Sequence, residues 1–535
     1  MQTQTPPAPQ AKTEERRPRR TAAASPLKRS SLIIGIALLI GLAALVAVLG
    51  RKWPFTRQAV IASLQQESGS QVEIGAFREF YFPYPGCTAE QVVFRRDAKA
   101  PTLLTIQKLT IIGSYPGLLI QHLDTIRAEG LRLTPSKEGA PTSLEGLGKT
   151  SSGVTIGHLL ANGAEIDFPA AQPGQTPLVF RIPKLELTDV ADGQPLKFQA
   201  TVQLPRPAAQ VDVSGKFGPW QSAQTRLSGS YAVAHLDLNT FNGVAGEINA
   251  SGKFDGQLQA VKVEGTLDSP NFEVRQSKHV IHLAAMYQAT VHGTNGDVDI
   301  DAARAHFLST TILGAGRVAG TEGHPGKTAT VQLSSKQAHI EDLLWMFVSD
   351  KKPAMTGQIA FRAQVQVPPE DREFTKKVKL QGDFGISNAQ YPNPQTQKNV
   401  DMLSARARGE ADKVEDIAEK VGKESYDPGR VLSNVKGHVE LSEGVAHLDK
   451  VSFDVPGASA LVSGTYSLLT ERVDLNGHMH MIADLPQTTT GVKSILLRVM
   501  KPFMHKSKHN ESVVLIRMGG TFDHPTFVAV PRAKK

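Results

Sequence analysis

Four groups of residues have types and spacings that invite a chemical reading. Gly146-Leu147-Gly148-Lys149-Thr150 has the ending of a phosphate loop, in which backbone N–H groups and a lysine cradle a polyphosphate. The first glycine of such a loop belongs five residues before Gly148, where Ser143 stands, and the segment is polar rather than set behind a buried strand. Asp297, Asp299 and Asp301 space three carboxylates as a calcium loop does, but Ala302 replaces the turn glycine and Leu308 the closing glutamate. Strand alternation accounts for that triplet. His478 and His480 share a strand face, and His505 and His509 share a helix face, each pair without a third ligand at metal spacing. Asp449, Asp454 and Asp474 are scattered through strands, and no nucleophile elbow or zinc-protease signature occurs. The single cysteine, Cys87, excludes an intrachain disulfide and is compatible with a periplasmic setting. No catalytic residue, cofactor or metal ligand is expected, and a membrane-tethered enzyme is the weakest reading.

The elements that would have to position such groups are mostly strands. With 535 residues the chain exceeds what one core normally serves, which points to several domains or one elongated body. Its 46 glycines and 33 prolines, set among Val, Ile, Leu and Thr, suit strands joined by turns.

Charge is unevenly placed. The net +8 invites a nucleic-acid reading until it is localised. Residues 1–30 carry seven basic side chains against Glu14 and Glu15, and Arg51 and Lys52 add two more, so the remaining chain is almost neutral. Nucleic acid is therefore not an expected partner. Ser31–Gly50 is twenty uncharged residues, at ~1.5 Å each enough to cross a ~30 Å hydrocarbon core. Its apolar residues are Leu32, Ile33, Ile34, Ile36, Leu38, Leu39, Ile40, Leu42, Leu45, Val46, Val48 and Leu49. The length and the missing small-residue cleavage site favour a transmembrane anchor over a cleaved signal. The basic flank places the N-terminus in the cytosol and the body outside it, with Trp53 and Phe55 at an interfacial position. Residues 1–28 read as a disordered basic tail and 29–52 as the anchor.

Beyond the anchor, Val60, Ile61 and Leu64 predict a short helix over 56–67, with Thr56 as its cap. Alternating runs bounded by Gly or Pro follow in an N-terminal module (53–135), a polar linker (136–152) and a β-rich central body (153–391). Ile359, Phe361, Ala363, Val365 and Val367 fall on one face of a strand, opposite Arg362, Gln364 and Gln366. Val473, Leu475, Met479 and Met481 repeat the arrangement. Strands with one dry face require either two packed sheets or one sheet curled around that face. The pattern apolar-x-Gly-x-aromatic-or-Leu recurs from Val213/Gly215/Phe217 to Met518/Gly520/Phe522 at irregular spacing, which excludes a fixed-period solenoid. Residues 392–430 form a helical or loop insertion before a C-terminal module (431–535). Within that module Val492, Ile495, Leu496, Val499, Met500 and Phe503 predict a basic amphipathic helix over 491–508, which Pro502 should kink or end. Its apolar face would close the end of a β core or lie on an anionic membrane.

Several of these pieces, in order, resemble the AsmA family. After the anchor come Arg57-x3-Ile61-x2-Leu64, Gly69-x2-Val72-x-Ile74, Phe82-Pro83-Tyr84-Pro85-Gly86, Leu109-x-Ile111 before Gly113-Ser114, and Ala128-Glu129-Gly130-Leu131-x-Leu133. The C-terminal part is similar to the family's closing module through Gly437–Leu448, Val455-Pro456-Gly457-Ala458, Gly464-Thr465-Tyr466, Thr490-Gly491-x-Lys493 and Gly520-Thr521-Phe522-Asp523-His524-Pro525. The resemblance implies an inner-membrane-anchored periplasmic protein related to bridge-like lipid carriers. It would be mostly β: one transmembrane helix, then an elongated, curled antiparallel sheet forming an apolar groove, with a few short helices. The implied partners are phospholipid and the inner membrane, and the implied role is outer-membrane lipid homeostasis. Protein partners in the envelope are not specified. A scaffold or assembly factor for outer-membrane proteins is the alternative.

Overall fold

The computed structural model describes residues 55–481 except 69, 96–100, 135–154, 169–177, 192, 206, 220–223, 294, 321–325, 350, 370–371, 411–412 and 414–430, together with 505–506, 512–521 and 525–529. The apolar segment 31–50 lies outside this description. Among the described residues no helix is long and apolar enough to cross a membrane. Over the described residues the protein is mostly β, one open sheet of 25 strands with a few short helices.

Helix α1 (Arg57–Ser68) begins behind Thr56, whose hydroxyl accepts from the Ala59 amide, as an N-cap does. It buries Val60 and Leu64 completely. Phe55, expected at a membrane interface, is instead 1% exposed and belongs to the same core. The sequence placed it from its distance to the anchor, but a pocket beside Gly113 takes the ring.

Strands β1 (Gln71–Phe80), β2 (Gly86–Arg95), β3 (Thr102–Gly113) and β4 (His122–Leu133) form an antiparallel meander, with helix α2 (Tyr115–Leu119) between the last two. Strand β5 (Thr155–Phe168) then pairs parallel to β4, a departure from the all-antiparallel expectation. A parallel neighbour needs a long return connection. The 21 residues from 134 to 154, the expected linker among them, supply that length. The N-terminal strands and the central body are thus hydrogen-bonded parts of one sheet. A single buried core runs from Phe55 through Leu159 and Phe198 to Val261.

The meander continues antiparallel through β6 (Leu178–Val190), β7 (Leu196–Pro205), β8 (Ala208–Phe217) and β9 (Arg226–Asp237). A 3-10 turn (Leu238–Thr240) and the two-residue β10 (Val244–Ala245) lead into β11 (Glu247–Gln257), β12 (Ala260–Val274), β13 (His279–His292), β14 (Asp297–Phe307), β15 (Thr310–Gly320) and β16 (Lys327–His339). Helix α3 (Ile340–Phe347), β17 (Thr356–Val367), α4 (Phe374–Lys377), β18 (Lys379–Gln390) and α5 (Pro394–Ala407) follow. The sheet ends with β19 (Ser433–Ser442), β20 (Val445–Val455), β21 (Ala458–Ser467), β22 (Arg472–Met481), β23 (His505–Lys506), β24 (Ser512–Thr521) and β25 (Pro525–Ala529). Tight turns keep the register: Glu443 and Gly444, both at positive φ, join β19 to β20 in the two-residue loop that matches strand twist.

Two helical expectations are modified. The insertion after β18 contributes α5, and most of it beyond Glu410 lies outside the described residues. The helix expected over 491–508 also falls almost wholly outside them. Its last part is not helical, because His505 and Lys506 pair with Ser512 and Val513 of β24.

Candidate functional site: the apolar concave face

Alternation gives each strand a dry and a wet side, and the pairing register aligns the dry sides. One row crosses five strands through Gly314, Leu333, Ala363, Gly382 and Val439. The next passes through Gly316, Val331, Val365, Leu380 and Leu441. Equivalent rows reach back to Ala200, Val213 and Tyr231, and forward to Leu448, Gly464, Leu475, Met518 and Phe527. One apolar face therefore runs without a break from β7 to β25. Ile359, Phe361, Ala363, Val365 and Val367 all lie on it, with Ile359 buried and the other four half-buried, while Arg362, Gln364 and Gln366 are exposed on the other side.

Glycines make this face concave. Gly252 on β11 sits opposite Gly265 on β12, flanked by Tyr231 and Tyr287 on the outer neighbours. A Cβ on Gly252 would lie 2.1 Å from the Glu264 carbonyl oxygen and 2.6 Å from the Tyr231 hydroxyl. The two tyrosines lean over the glycine pair and their hydroxyls meet at 2.5 Å. Burial, and then the bond to Tyr287, push the Tyr231 hydroxyl well above the usual phenol range. Glycine kinks of this kind, roofed by an aromatic from the next strand, bend a sheet. Of the recurring glycines, Gly229 repeats this arrangement under the Phe254 ring, while Gly215, Gly382 and Gly464 meet backbone or an alanine of the next strand.

The curl goes far enough for the sheet's opposite rims to meet. The Phe374 amide donates to the Asn242 carbonyl at 3.1 Å, Gln276 donates to the Leu468 carbonyl, and the Ser349 hydroxyl donates to Glu471 at 3.3 Å. Asn242, Gln276 and Ser349 follow the ends of β9, β12 and β16; Phe374, Leu468 and Glu471 lie beyond the opposite strand ends, after β17 and β21. These contacts join residues more than a hundred positions apart, so no local pattern signals them.

Among the described residues, helices α3 and α5 cover the face along one rim. Leu343 and Leu344 of α3 pack over Ile359 and Ile386, and the helix is held by Asp342, which accepts from the Ser309 amide at 3.0 Å and the Thr310 hydroxyl at 2.8 Å. His279 stacks on Trp345, with ring centroids 3.6 Å apart, and donates to its carbonyl. Helix α5 places Val400 and Ala407 among Val451, Val462, Met479 and Ile516. Between these patches the rows through Ala363 and Val365 remain half-exposed.

The convex side carries the charged residues, with Met286, Leu313, Leu461 and Leu515 exposed among them. Its carboxylates are matched across strands: His282 with Asp268, His438 with Asp383, and Arg517 with Asp474. Asp383 holds the exposed His438 imidazole above its ordinary pKa. Such pairs add little stability each but keep this face turned to water. Two shallow hollows of about 360 and 650 Å³ lie here, lined by Glu186, Lys197 and Ser214 in one and by Arg317, Gln332 and Gln364 in the other.

Among the described residues, Asp297, Asp299 and Asp301 each have a separate partner. Asp297 is taken by Lys327 at 2.6 Å and the Gly320 amide at 3.2 Å, Asp299 by His292 at 2.8 Å, and Asp301 by the Thr290 hydroxyl at 3.1 Å. His478 and His480 touch edge to face at 5.1 Å. Among the described residues no group of three or more His, Cys, Asp or Glu is placed to hold a metal. Gly146–Thr150, the apolar residues Leu32–Leu49 and Val492–Phe503 lie outside the described residues, as does His509; His505 is in β23, not on a helix. Cys87 faces the core, where burial first and Glu79 second push its thiol up to about 12.

No family profile matches the chain, and neither a curated protein nor a solved structure is significantly similar to it.

Proposed function

We propose that this chain is an inner-membrane-anchored periplasmic protein of the AsmA type that binds phospholipid along its concave face and conducts it without making or breaking a bond. The observation that carries the reading is the apolar face itself, continuous from β7 to β25 and uncovered over its middle strands. A face of that kind in water is a sink for acyl chains, each CH₂ transferred to it contributing ~0.8 kcal/mol. Successive rows are chemically alike, so a chain moving from one to the next meets no deep trap. That equivalence suits passage better than storage. Along the hydrogen-bonding direction some 25 strands at ~4.8 Å extend at most ~120 Å before the curl shortens them. The inner-membrane location and the contribution to outer-membrane lipid homeostasis come from the basic-flanked apolar segment and the resemblance of the two ends.

The test is a photoreactive residue placed at Val365 or, as a control, at Gln366 in the full chain in membranes. Crosslinking to phospholipid at Val365 and not at Gln366 supports the reading. A lipid-free chain that instead crosslinks to unfolded outer-membrane proteins would replace it with the assembly-factor reading.

A further inference from the structure

Five large apolar side chains are exposed together at one end of the N-terminal strands. Phe82 is 88% exposed, Ile120 75%, Tyr84 58%, Tyr81 53% and Tyr115 51%. They come from two loops, the β1–β2 connection and the segment around α2. The loops are tied to each other: the Tyr115 hydroxyl donates to the Tyr81 carbonyl at 2.6 Å, and the Gly113 amide donates to the Pro85 carbonyl at 2.9 Å. Nothing in the concave face uses these residues.

The position of the cluster tells what covers it. Phe55, Leu118 and Leu123 converge on Gly113, a Cβ there lying 3.4 to 3.5 Å from each. The chain therefore enters the fold beside the same two loops. Upstream of Phe55 only Arg51, Lys52, Trp53 and Pro54 separate it from Gly50, the last residue of the apolar segment. At no more than ~3.6 Å per residue, that connection cannot hold Phe55 farther than ~18 Å from the end of the segment. A bilayer spanned by 31–50 would thus have its surface within reach of Tyr81, Phe82, Tyr84, Tyr115 and Ile120. Tyrosines with an apolar ring and a polar tip suit the headgroup level, and Phe and Ile suit the acyl boundary just below it. Arg51 and Lys52 supply the positive charge that an anionic headgroup layer attracts. The neighbouring Glu79 is engaged by the Tyr81 hydroxyl at 2.6 Å.

We propose that Tyr81, Phe82, Tyr84, Tyr115 and Ile120 form a membrane-docking face that seats the first strands of the sheet in the interface of the bilayer holding the anchor. This rests on reading 31–50 as that anchor. Docking at two points, the span and the aromatic face, fixes the sheet's orientation where the span alone would not.

The test uses the full chain reconstituted into phosphatidylethanolamine–phosphatidylglycerol vesicles, with a spin label at Phe82→Cys or Ile120→Cys and a control label at Gln364→Cys. Collisions with oxygen, which concentrates in acyl chains, are compared with collisions with a water-soluble nickel chelate. The expected result is an oxygen excess at 82 and 120 and a nickel excess at 364. Replacing the cluster partners with Tyr84→Asp and Tyr115→Asp should remove the excess at 82, while the circular dichroism spectrum is unchanged. Alkaline extraction of the same vesicles separates the two failures. A chain that stays in the membrane with residue 82 as accessible to nickel as residue 364 overturns the docking face alone. A chain that washes off overturns the anchor, and the docking face with it.

Discussion

Ala363 and Gln364 are adjacent on β17 and face opposite sides of the sheet, which permits a controlled test of the concave face. Ala363 lies in the row between Leu333 and Gly382, half-buried and not under a helix, and Gln364 lies between Gln332 and Gln381 on the convex side. Ala363→Glu introduces a carboxylate that must stay hydrated. Neither flanking row offers it a basic partner. Keeping that carboxylate wet excludes an acyl chain from about four CH₂ groups' length of trough, a loss of ~3 kcal/mol, or roughly 200-fold in local affinity. The fold should tolerate the change, since the side chain points into uncovered space and such substitutions usually shift stability by about 0.5 kcal/mol. Gln364→Glu adds the same charge one residue away and should leave lipid binding as it was. The assay is phospholipid phosphate per mole of purified chain, together with transfer of a fluorescent phospholipid between vesicles, with urea unfolding as the check on folding. A folded Ala363→Glu chain with a full lipid load would refute the assignment of the face. So would equal losses in the two variants.

Three further outcomes are expected. Gly252→Val should destabilise the sheet by ~2 kcal/mol, because its Cβ meets the Glu264 carbonyl and the Tyr231 hydroxyl; the midpoint of urea unfolding reads it. Lys327→Met should cost ~2 kcal/mol at neutral pH by removing the nearer of the two cations that Asp297 faces, Arg317 at 3.4 Å remaining. Burial alone would raise the Asp297 carboxyl, but the Lys327 and Gly320 hydrogen bonds outweigh it and hold the group below its ordinary value. This contribution is full above the unfolded carboxylate pKa near ~3.9 and is lost as pH falls through the lower folded value. The gap between Lys327→Met and the natural chain should close in that acidic window, as unfolding at stepped pH would show. Finally, Cys87 should resist maleimide at pH 8 until denaturant opens β2, since its thiol is both buried and raised to about 12. Rapid labelling of the native chain would show that the N-terminal core is not closed there.

The strand character of this chain, its face-by-face polarity and the placing of its charge were all legible in the sequence, because each depends on neighbours one or two residues away. Period-2 alternation put Ile359 to Val367 on one face without any knowledge of what that face meets. Even the recurring glycine was visible, although its purpose was not. Whether Gly252 marks a bulge or relieves crowding depends on Gly265 and Tyr231, brought beside it only by pairing with other strands. What tertiary structure alone decided is how those faces are joined and bent. The parallel step from β4 to β5 merges two apparent modules into one sheet. The meeting of Asn242 with Phe374 and of Ser349 with Glu471 depends on twist and glycine kinks accumulated over many strands, and no short segment encodes that sum. Phe55 shows the same division at the scale of one residue. Its nearness to the apolar segment is a fact of sequence, but its burial beside Gly113, and the exposure of Phe82 and Tyr115 in its place, follow from where β3 and α2 pack.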